Sequence, residues 1–254
     1  MSKRIDITCD MGESFGVYKL GFDEEMMPYI TSANIACGFH AGDPMWMSRT
    51  VRLAEETGVA IGAHPSFPDL MGFGRRVMQM SLEEVRNYVI YQVGALQAFT
   101  KAKRLQHVKA HGSLYNMGEK DVELAGAVAE AVQEVDPNLI LVGLAGTAWI
   151  KAGHKVGLRV ASEVFADRAL NADGTLVSRR QPGAVIHDVE EVVARVSKMV
   201  AEGKVTAISG EEIEVKVDTI CVHGDTPGAA TLARILRQNL EAAGIAVVPM
   251  GTFL

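Results

Sequence analysis

The sequence predicts an α/β fold, specifically a (β/α) barrel, on three observations. Short apolar segments of β character alternate with amphipathic helical segments about eight times along 254 residues, the pattern of a parallel sheet with helical crossovers. Within those short segments one parity is apolar and the other small or polar. Polar clusters follow the strands instead of preceding them. The length suits one large barrel, and no Pro- or Ser-rich linker divides it. A single domain over residues 1–254 is therefore expected.

In chain order, Arg4 to Asp10 alternates and leads into the loop Met11-Gly12-Glu13-Ser14-Phe15-Gly16. A short helix is predicted from Glu24 to Tyr29. Ser32 to Pro44, SANIACGFHAGDP, reads as a buried strand, a glycine-punctuated loop carrying His40, and a helix start. Asp43 is placed to cap that helix, with Pro44 at its first position, and Gly58 to end it. Val59 to Ala63 is the third strand and runs into a long loop from His64 to Arg76. Ser81 and Glu84 form a capping box ahead of a helix with Val85, Val89, Gln92, Val93 and Leu96 on one face. Gln106 to Ala110 is a strand leading to His111-Gly112-Ser113-Leu114-Tyr115-Asn116. Asp121 to Val135 is helical, Leu139 to Leu144 a strand, and Thr147 opens a short helix. Leu158 to Ser162 is a strand leading to Glu163-Val164-Phe165-Ala166-Asp167-Arg168. A polar loop through Arg179 and Arg180 precedes the helix Val189 to Val200. Alternating runs around Ser209-Gly210 predict a small hairpin excursion near residues 203–218. Thr219 to Val222 is a strand ending in His223-Gly224-Asp225, and Ile245 to Val248 is the last strand.

Composition excludes several classes. A formal charge of −6 argues against a nucleic-acid surface, where a basic excess supplies affinity. No apolar run is long enough for a membrane span. The N-terminus, MSKRIDITCD, enters a strand at once and lacks a signal-peptide core. Cys9, Cys37 and Cys221 are an odd and sparse set, read as reduced thiols of a cytoplasmic protein. No G-x-G-x-x-G or G-x-x-x-x-G-K-[ST] follows any strand, so neither a Rossmann nor a P-loop site is supported.

Side chains alternate faces along a strand. Ile5, Ile7 and Cys9, Ala33 and Ile35, Ile61 and Ala63, Val108, Ile220 and Val222 form the parity that faces the helices. Asp6, Thr8 and Asp10, Asn34, Gly62 and His64, His107, Lys109 and His111, Glu163, Cys221 and His223 form the interior parity. Buried charges are costly unless paired or used. In parallel α/β folds the strand C-terminal ends share one face, where active sites are built. Asp10, His40, His64, His111, Asp167 and His223 are expected to converge there.

Each candidate has a plainer reading. His40 could be a packed loop histidine, and His64, before Pro65, could merely shape a turn. His111 and His223 each precede a glycine that suits close approach to a ligand or simply a turn. Lys109 calls for an anionic ligand, or for a structural ion pair with Asp10 or Glu163. Arg75, Arg76 and Arg168 fit bidentate recognition of carboxylate or phosphate; for Arg76 above all, surface solubility competes. Asp10 and Glu13 suit a general base or a metal ligand. Histidines and carboxylates at strand ends also fit Zn²⁺ or Mn²⁺. The absence of an H-x-x-x-H or H-E-x-x-H helix weighs against a tightly held ion, and the sequence leaves metal use open.

The motifs CDMGESFG (Cys9 to Gly16), SANIACGFHAGDP, GAHPSFPDLMGFGRR (Gly62 to Arg76), KAHGSLYN (Lys109 to Asn116), FADR (Phe165 to Arg168), DGTLVSR (Asp173 to Arg179) and CVHGDTP (Cys221 to Pro227) together resemble the LamB/YcsF family. Departures are small: Thr8 stands where the family usually has Asn, Ala110 where Pro is common, and Leu170 where an aromatic is frequent. The resemblance implies a barrel of the glycoside hydrolase/deacetylase group with seven strands, one fewer than the eight counted here. It also implies ATP-dependent opening of the 5-oxoproline lactam to glutamate, in complex with 5-oxoprolinase subunits B and C. For that chemistry Asp10, His40, His64, Lys109 and His111 are the expected catalytic group. Glu13, Asn34, Arg75, Glu163, Asp167, Arg168, His223 and Asp225 are the expected substrate- or phosphate-binding group. ATP with Mg²⁺ would be held by glycine-rich loops such as Gly38 to Gly42 and by a carboxylate. Two other functions stay open: a metal-dependent deacetylase or hydrolase acting on a sugar or amide, and a non-catalytic substrate-binding subunit.

Overall fold

Capping chemistry sets the helix starts, and period-2 alternation sets the strands. The computed structural model describes residues 3–224 and 228–254. Its elements run β1 (Arg4–Met11), α1 (Asp23–Met26) with a 3-10 turn over Met27–Tyr29, β2 (Ser32–Ala36), α2 (Pro44–Thr57), β3 (Ala60–His64), α3 (Leu82–Phe99) and β4 (His107–Lys109). Then follow α4 (Gly112–Gly118), α5 (Val122–Val135), β5 (Ile140–Leu144), α6 (Ala148–Lys155), β6 (Arg159–Phe165), α7 (Val189–Glu202), β7 (Lys204–Thr206) and β8 (Glu212–Glu214). β9 (Thr219–Val222), α8 (Ala229–Ala242), β10 (Ala246–Val247) and a 3-10 turn over Met250–Thr252 complete the chain. The Asp43 carboxylate accepts from the backbone N–H groups of Met45 and Trp46, and Gly58 ends α2 in the left-handed region at φ 73°. Ser81 and Glu84 make the reciprocal capping box of α3.

Seven parallel strands, β1-β2-β3-β4-β5-β6-β9, close into a ring through β1–β9 pairing. The eighth strand expected near residues 245–248 is no part of that ring. β2 pairs with β1 only from Thr8 onward, so the start of β1 keeps a free edge on that side. The two-residue β10 takes it, pairing Arg4 with Ala246 and Ile5 with Val247. β7 and β8 form an antiparallel hairpin between α7 and β9, in register Lys204 with Glu214 and Thr206 with Glu212.

Parity sorts the side chains into two cores. Ile5, Ile7, Cys9, Ile35, Val108 and Ile220 pack outward with Val51, Val89, Val128, Val196 and Leu236 of the surrounding helices. Inside the ring, Ile140, Val142, Ala161 and Met250 form a separate apolar plug. Beside it the buried Asp6 carboxylate accepts from Ser32 Oγ at 2.5 Å, Thr219 Oγ1 at 3.0 Å and the Met250 N–H at 2.7 Å. Burial pushes the Asp6 carboxyl up to about 6 even so, because these hydrogen bonds only partly offset its desolvation. One layer further along, Gly62 leaves the space that the His107 ring fills: a Cβ there would stand 2.1 Å from Nε2.

No helix among the described residues is long and apolar enough to cross a membrane. Cys9, Cys37 and Cys221 are all free and buried.

Candidate active site

β1, β3, β4, β6 and β9 end at a cavity of about 700 Å³. Asp10, His64, Lys109 and His111 line it with Glu13, Arg75, Arg168 and His223. At its floor Lys109 Nζ lies 3.1 Å from Asp10 Oδ1, 3.0 Å from Glu163 Oε1 and 3.1 Å from Cys221 Sγ. The Glu163 contact is an ion pair with poor hydrogen-bond alignment. The structural pairing of Lys109 with Asp10 or Glu163 is thus present with both carboxylates at once. Burial penalises the ammonium, but Asp10, Cys221 and Glu163 reverse the effect and hold Lys109 charged, well above the ordinary lysine range. Burial alone would raise Asp10; His64 and Lys109 beside it hold the carboxyl well below its usual value. Asn34 Nδ2 donates to Asp10 Oδ1 at 2.8 Å, and the Asn34 Oδ1 meets His107 Nε2 at 2.7 Å.

The histidines are oriented by backbone. His64 Nδ1 sits 2.7 Å from the Lys109 carbonyl, so that nitrogen carries the proton and donates. His111 Nε2 donates to the Phe73 carbonyl at 2.9 Å. The loop after β3 is pinned from α3, where the buried Gln92 accepts from the Ser66 N–H and donates to the Ser66 carbonyl, both at 2.9 Å. Gly112, at φ 61°, lies so close to the Gly74 carbonyl that a Cβ would meet it at 2.4 Å. That glycine serves close packing of the chain on itself. The same holds for Gly42, where a Cβ would stand 3.0 Å from the Gly12 carbonyl and 3.1 Å from that of Ala36.

His40 is fully buried and stacks face to face on His111, with ring centroids 3.8 Å apart. It does not line the cavity. His40 Nε2 lies 3.9 Å from Glu13 Oε1, His111 Nδ1 lies 3.8 Å from the same oxygen, and His111 Nδ1 lies 3.0 Å from His64 Nε2. Burial depresses His40 well below the usual histidine range and His111 to about 3. Glu13, His40, His64 and His111 are the one group of buried His and carboxylate donors among the described residues close enough to hold a metal ion.

Several expected ligand contacts are instead framework. Asn34 and Glu163 are wholly buried behind the floor, because β2 and β6 turn them into the ring. Glu163 accepts from the Tyr115 hydroxyl at 2.8 Å in addition to pairing with Lys109. Arg168 lines the cavity, but its Nη2 donates to the Val177 carbonyl at 2.6 Å and its Nε to that of Ala184 at 3.4 Å, holding the loop that follows β6. Arg76 is committed to Asp69, its Nε donating to Oδ1 at 2.7 Å. Asp167 stands behind His223, accepting from Nδ1 at 2.9 Å, while Arg179 Nη2 donates to His223 Nε2 at 2.9 Å. Arg75 is exposed and lies over the Phe73 ring. Asp225 lies outside the described residues. Sequence reasoning gave no role to Tyr115 and Glu119, both cavity residues on or next to α4. Burial pushes Glu119 up to about 7. Their signal was the four-residue spacing from His111 to Tyr115 to Glu119, a helical period in a stretch read as loop.

A closed ring of seven parallel strands with its charged groups at the strand C-terminal ends defines a (β/α) barrel of the deacetylase-like architecture. It shares that fold, at 14% identity and a TM-score of 0.50, with a T48 deacetylase solved with substrate, over 97% of this chain and 88% of the other. The LamB/YcsF family pattern spans residues 5–254, and the chain belongs to the LamB/YcsF family. It is 59% identical over 253 residues to the 5-oxoprolinase A subunit of Thermococcus onnurineus (strain NA1), covering 99% of each chain. It is 49% identical to the lactam utilization protein of Thermus thermophilus, whose crystal structure superposes with a TM-score of 0.92 over 96% of this chain and 99% of that one.

Proposed function

We propose that this chain is the A subunit of a 5-oxoprolinase. With the B and C subunits, in a reducing cytoplasm, it opens the 5-oxoproline lactam to L-glutamate, driven by ATP carried with Mg²⁺. The full-length likeness to the subunit of that name carries the reading. The cavity supports it chemically. A lactam is an unreactive amide. Transfer of the γ-phosphoryl group of ATP to its carbonyl oxygen, with ADP leaving, makes the ring carbon electrophilic. Water then adds there, the C–N bond breaks as the nitrogen takes up a proton, and a second water releases phosphate from the resulting acyl phosphate to leave glutamate. Such a sequence calls for cations toward phosphate and the substrate carboxylate, and Arg75, Lys120, Arg179 and Arg180 line the cavity. It also calls for an ionised base at the floor. Asp10 is held ionised by His64 and Lys109. Asp167 and His223 act in series, Asp167 fixing the ring whose Nε2 accepts from Arg179, so that the Arg179 guanidinium is held at the cavity wall.

The test is glutamate release from 5-oxoproline by this chain with its B and C partners, with and without ATP, beside His64→Ala and Lys109→Ala. ATP-dependent product, lost in both variants while circular dichroism shows them folded, supports the reading. No product with three folded subunits and ATP present overturns it.

A further inference from the structure

We propose that Glu13, His40, His64 and His111 form a binding site for one divalent transition-metal ion, buried beside the Asp10–Lys109 floor. The tautomers carry this inference. His64 commits its Nδ1 proton to the Lys109 carbonyl and His111 its Nε2 proton to the Phe73 carbonyl. In the neutral rings the two remaining nitrogens are both acceptors, yet they face each other at 3.0 Å. Two lone pairs at that distance require a cation between or beside them.

A proton on His64 Nε2, shared with Asp10 Oδ2 at 3.3 Å, would answer that one contact. It would leave His40 unexplained. His40 is fully buried, and neither Nδ1 nor Nε2 has a hydrogen-bond partner. A buried polar ring without partners is costly. One ion answers both observations, since it accepts a lone pair from each of the three imidazoles and neutralises part of its charge on the Glu13 carboxylate.

The donor set and spacing agree with this. Three imidazole nitrogens and one carboxylate oxygen are a set suited to Zn²⁺ and its first-row neighbours. Metal–ligand bonds of about 2.0–2.2 Å place tetrahedral donors roughly 3.4 Å apart. The separations of 3.0, 3.8 and 3.9 Å straddle that value, and all four donors lie within 4.8 Å of one another. The near-parallel stack of His40 on His111 must open for both rings to turn a lone pair toward one ion. The Lys109 and Phe73 carbonyls already supply the outer hydrogen bonds that fix metal-bound imidazoles.

The test uses the full chain alone, without ATP or 5-oxoproline, so its outcome is independent of the lactam reading. The protein is stripped with a chelator and titrated with Co²⁺, read by visible d–d absorption, and with Zn²⁺, read by calorimetry and by metal content after desalting. The expected result is about one ion per chain for the wild type and for His154→Ala, which alters an exposed histidine. Affinity should fall at least about tenfold in His40→Ala and His111→Ala. Glu13→Gln is the further variant should either alanine form fail to fold by circular dichroism. Folded wild type that retains no ion overturns the site, as does uptake equal in the wild type and the folded ligand variants.

Discussion

Replacing Lys109 by Met removes the one ammonium between two carboxylates while keeping nearly the same volume, so the loss isolates charge from packing. Lys109 is 2% exposed and Glu163 wholly buried. With Nζ gone, Asp10 keeps Asn34 and His64, but Glu163 keeps only the Tyr115 hydroxyl as a close polar contact among the described residues. Breaking a buried pair on one side costs about 3–5 kcal/mol, because the partner charge stays buried without compensation. Lys109→Met should lose about that much at neutral pH. The double variant Lys109→Met/Glu163→Gln should regain about 1–3 kcal/mol, since a neutral amide oxygen still accepts from Tyr115 and no carboxylate is stranded there. Urea unfolding followed by circular dichroism reads both, alongside glutamate release. The double variant should recover stability but not activity, separating the charge balance of the floor from its chemistry. A loss below about 1 kcal/mol in the single variant, or no recovery in the double, would refute the view that Lys109 balances these carboxylates.

Two other outcomes follow from the ring interior. Burial holds His107 down to about 3, whereas an unfolded histidine titrates near its ordinary value of about 6.5. The unfolded chain therefore takes up a proton that the folded chain refuses. Stability from this group is complete above about 6.5 and is lost as pH falls toward about 3, by about 1.4 kcal/mol per pH unit. His107→Gln should flatten the dependence of unfolding free energy on pH between about 6.5 and about 5 by that amount; equal slopes in variant and wild type would count against the assignment. Gly62→Ala drives a methyl into the His107 ring, at a cost of about 1–3 kcal/mol. In a His107→Ala background the same change should cost much less, as thermal unfolding would show.

The interior was legible in the sequence because parity is a strict rule: Asp6, Asp10, Asn34, Lys109 and Glu163 could only share a face with one another once the strands were placed. What parity could not separate was cavity from framework. Asn34 and Glu163 differ from Asp10 in depth along the barrel axis, which depends on strand register and tilt and not on alternation. The extra strand arose because Ile245 to Val248 has β character, while ring closure is decided where β9 meets β1. α4 was hidden by its glycine-led start, which has no side-chain cap, and by its length of seven residues. The histidine cluster is the instructive case. His40, His64 and His111 were each visible at a strand end, but nothing in their spacing shows which nitrogen each presents. That is set by two main-chain carbonyls, at Lys109 and Phe73, which any sequence at those positions would supply.

The seam between β1 and β9 has a consequence in time. Each of the joints from β1 to β6 unites strands that are successive in the chain. The closing joint instead brings Asp6 to Thr219, 213 residues away, after the longest crossover and the β7–β8 hairpin have been accommodated. Closure entropy grows with the length of chain enclosed, and folds rich in distant pairings form slowly. For as long as β9 is undocked, whatever the order of assembly, the edges of β1 and β6 stay unpaired. During that interval those two edges are the places where another chain could bind in its stead. The Asp6 knot to Ser32, Thr219 and Met250 is thus a latch whose fastening ends the chain's exposure to misassembly.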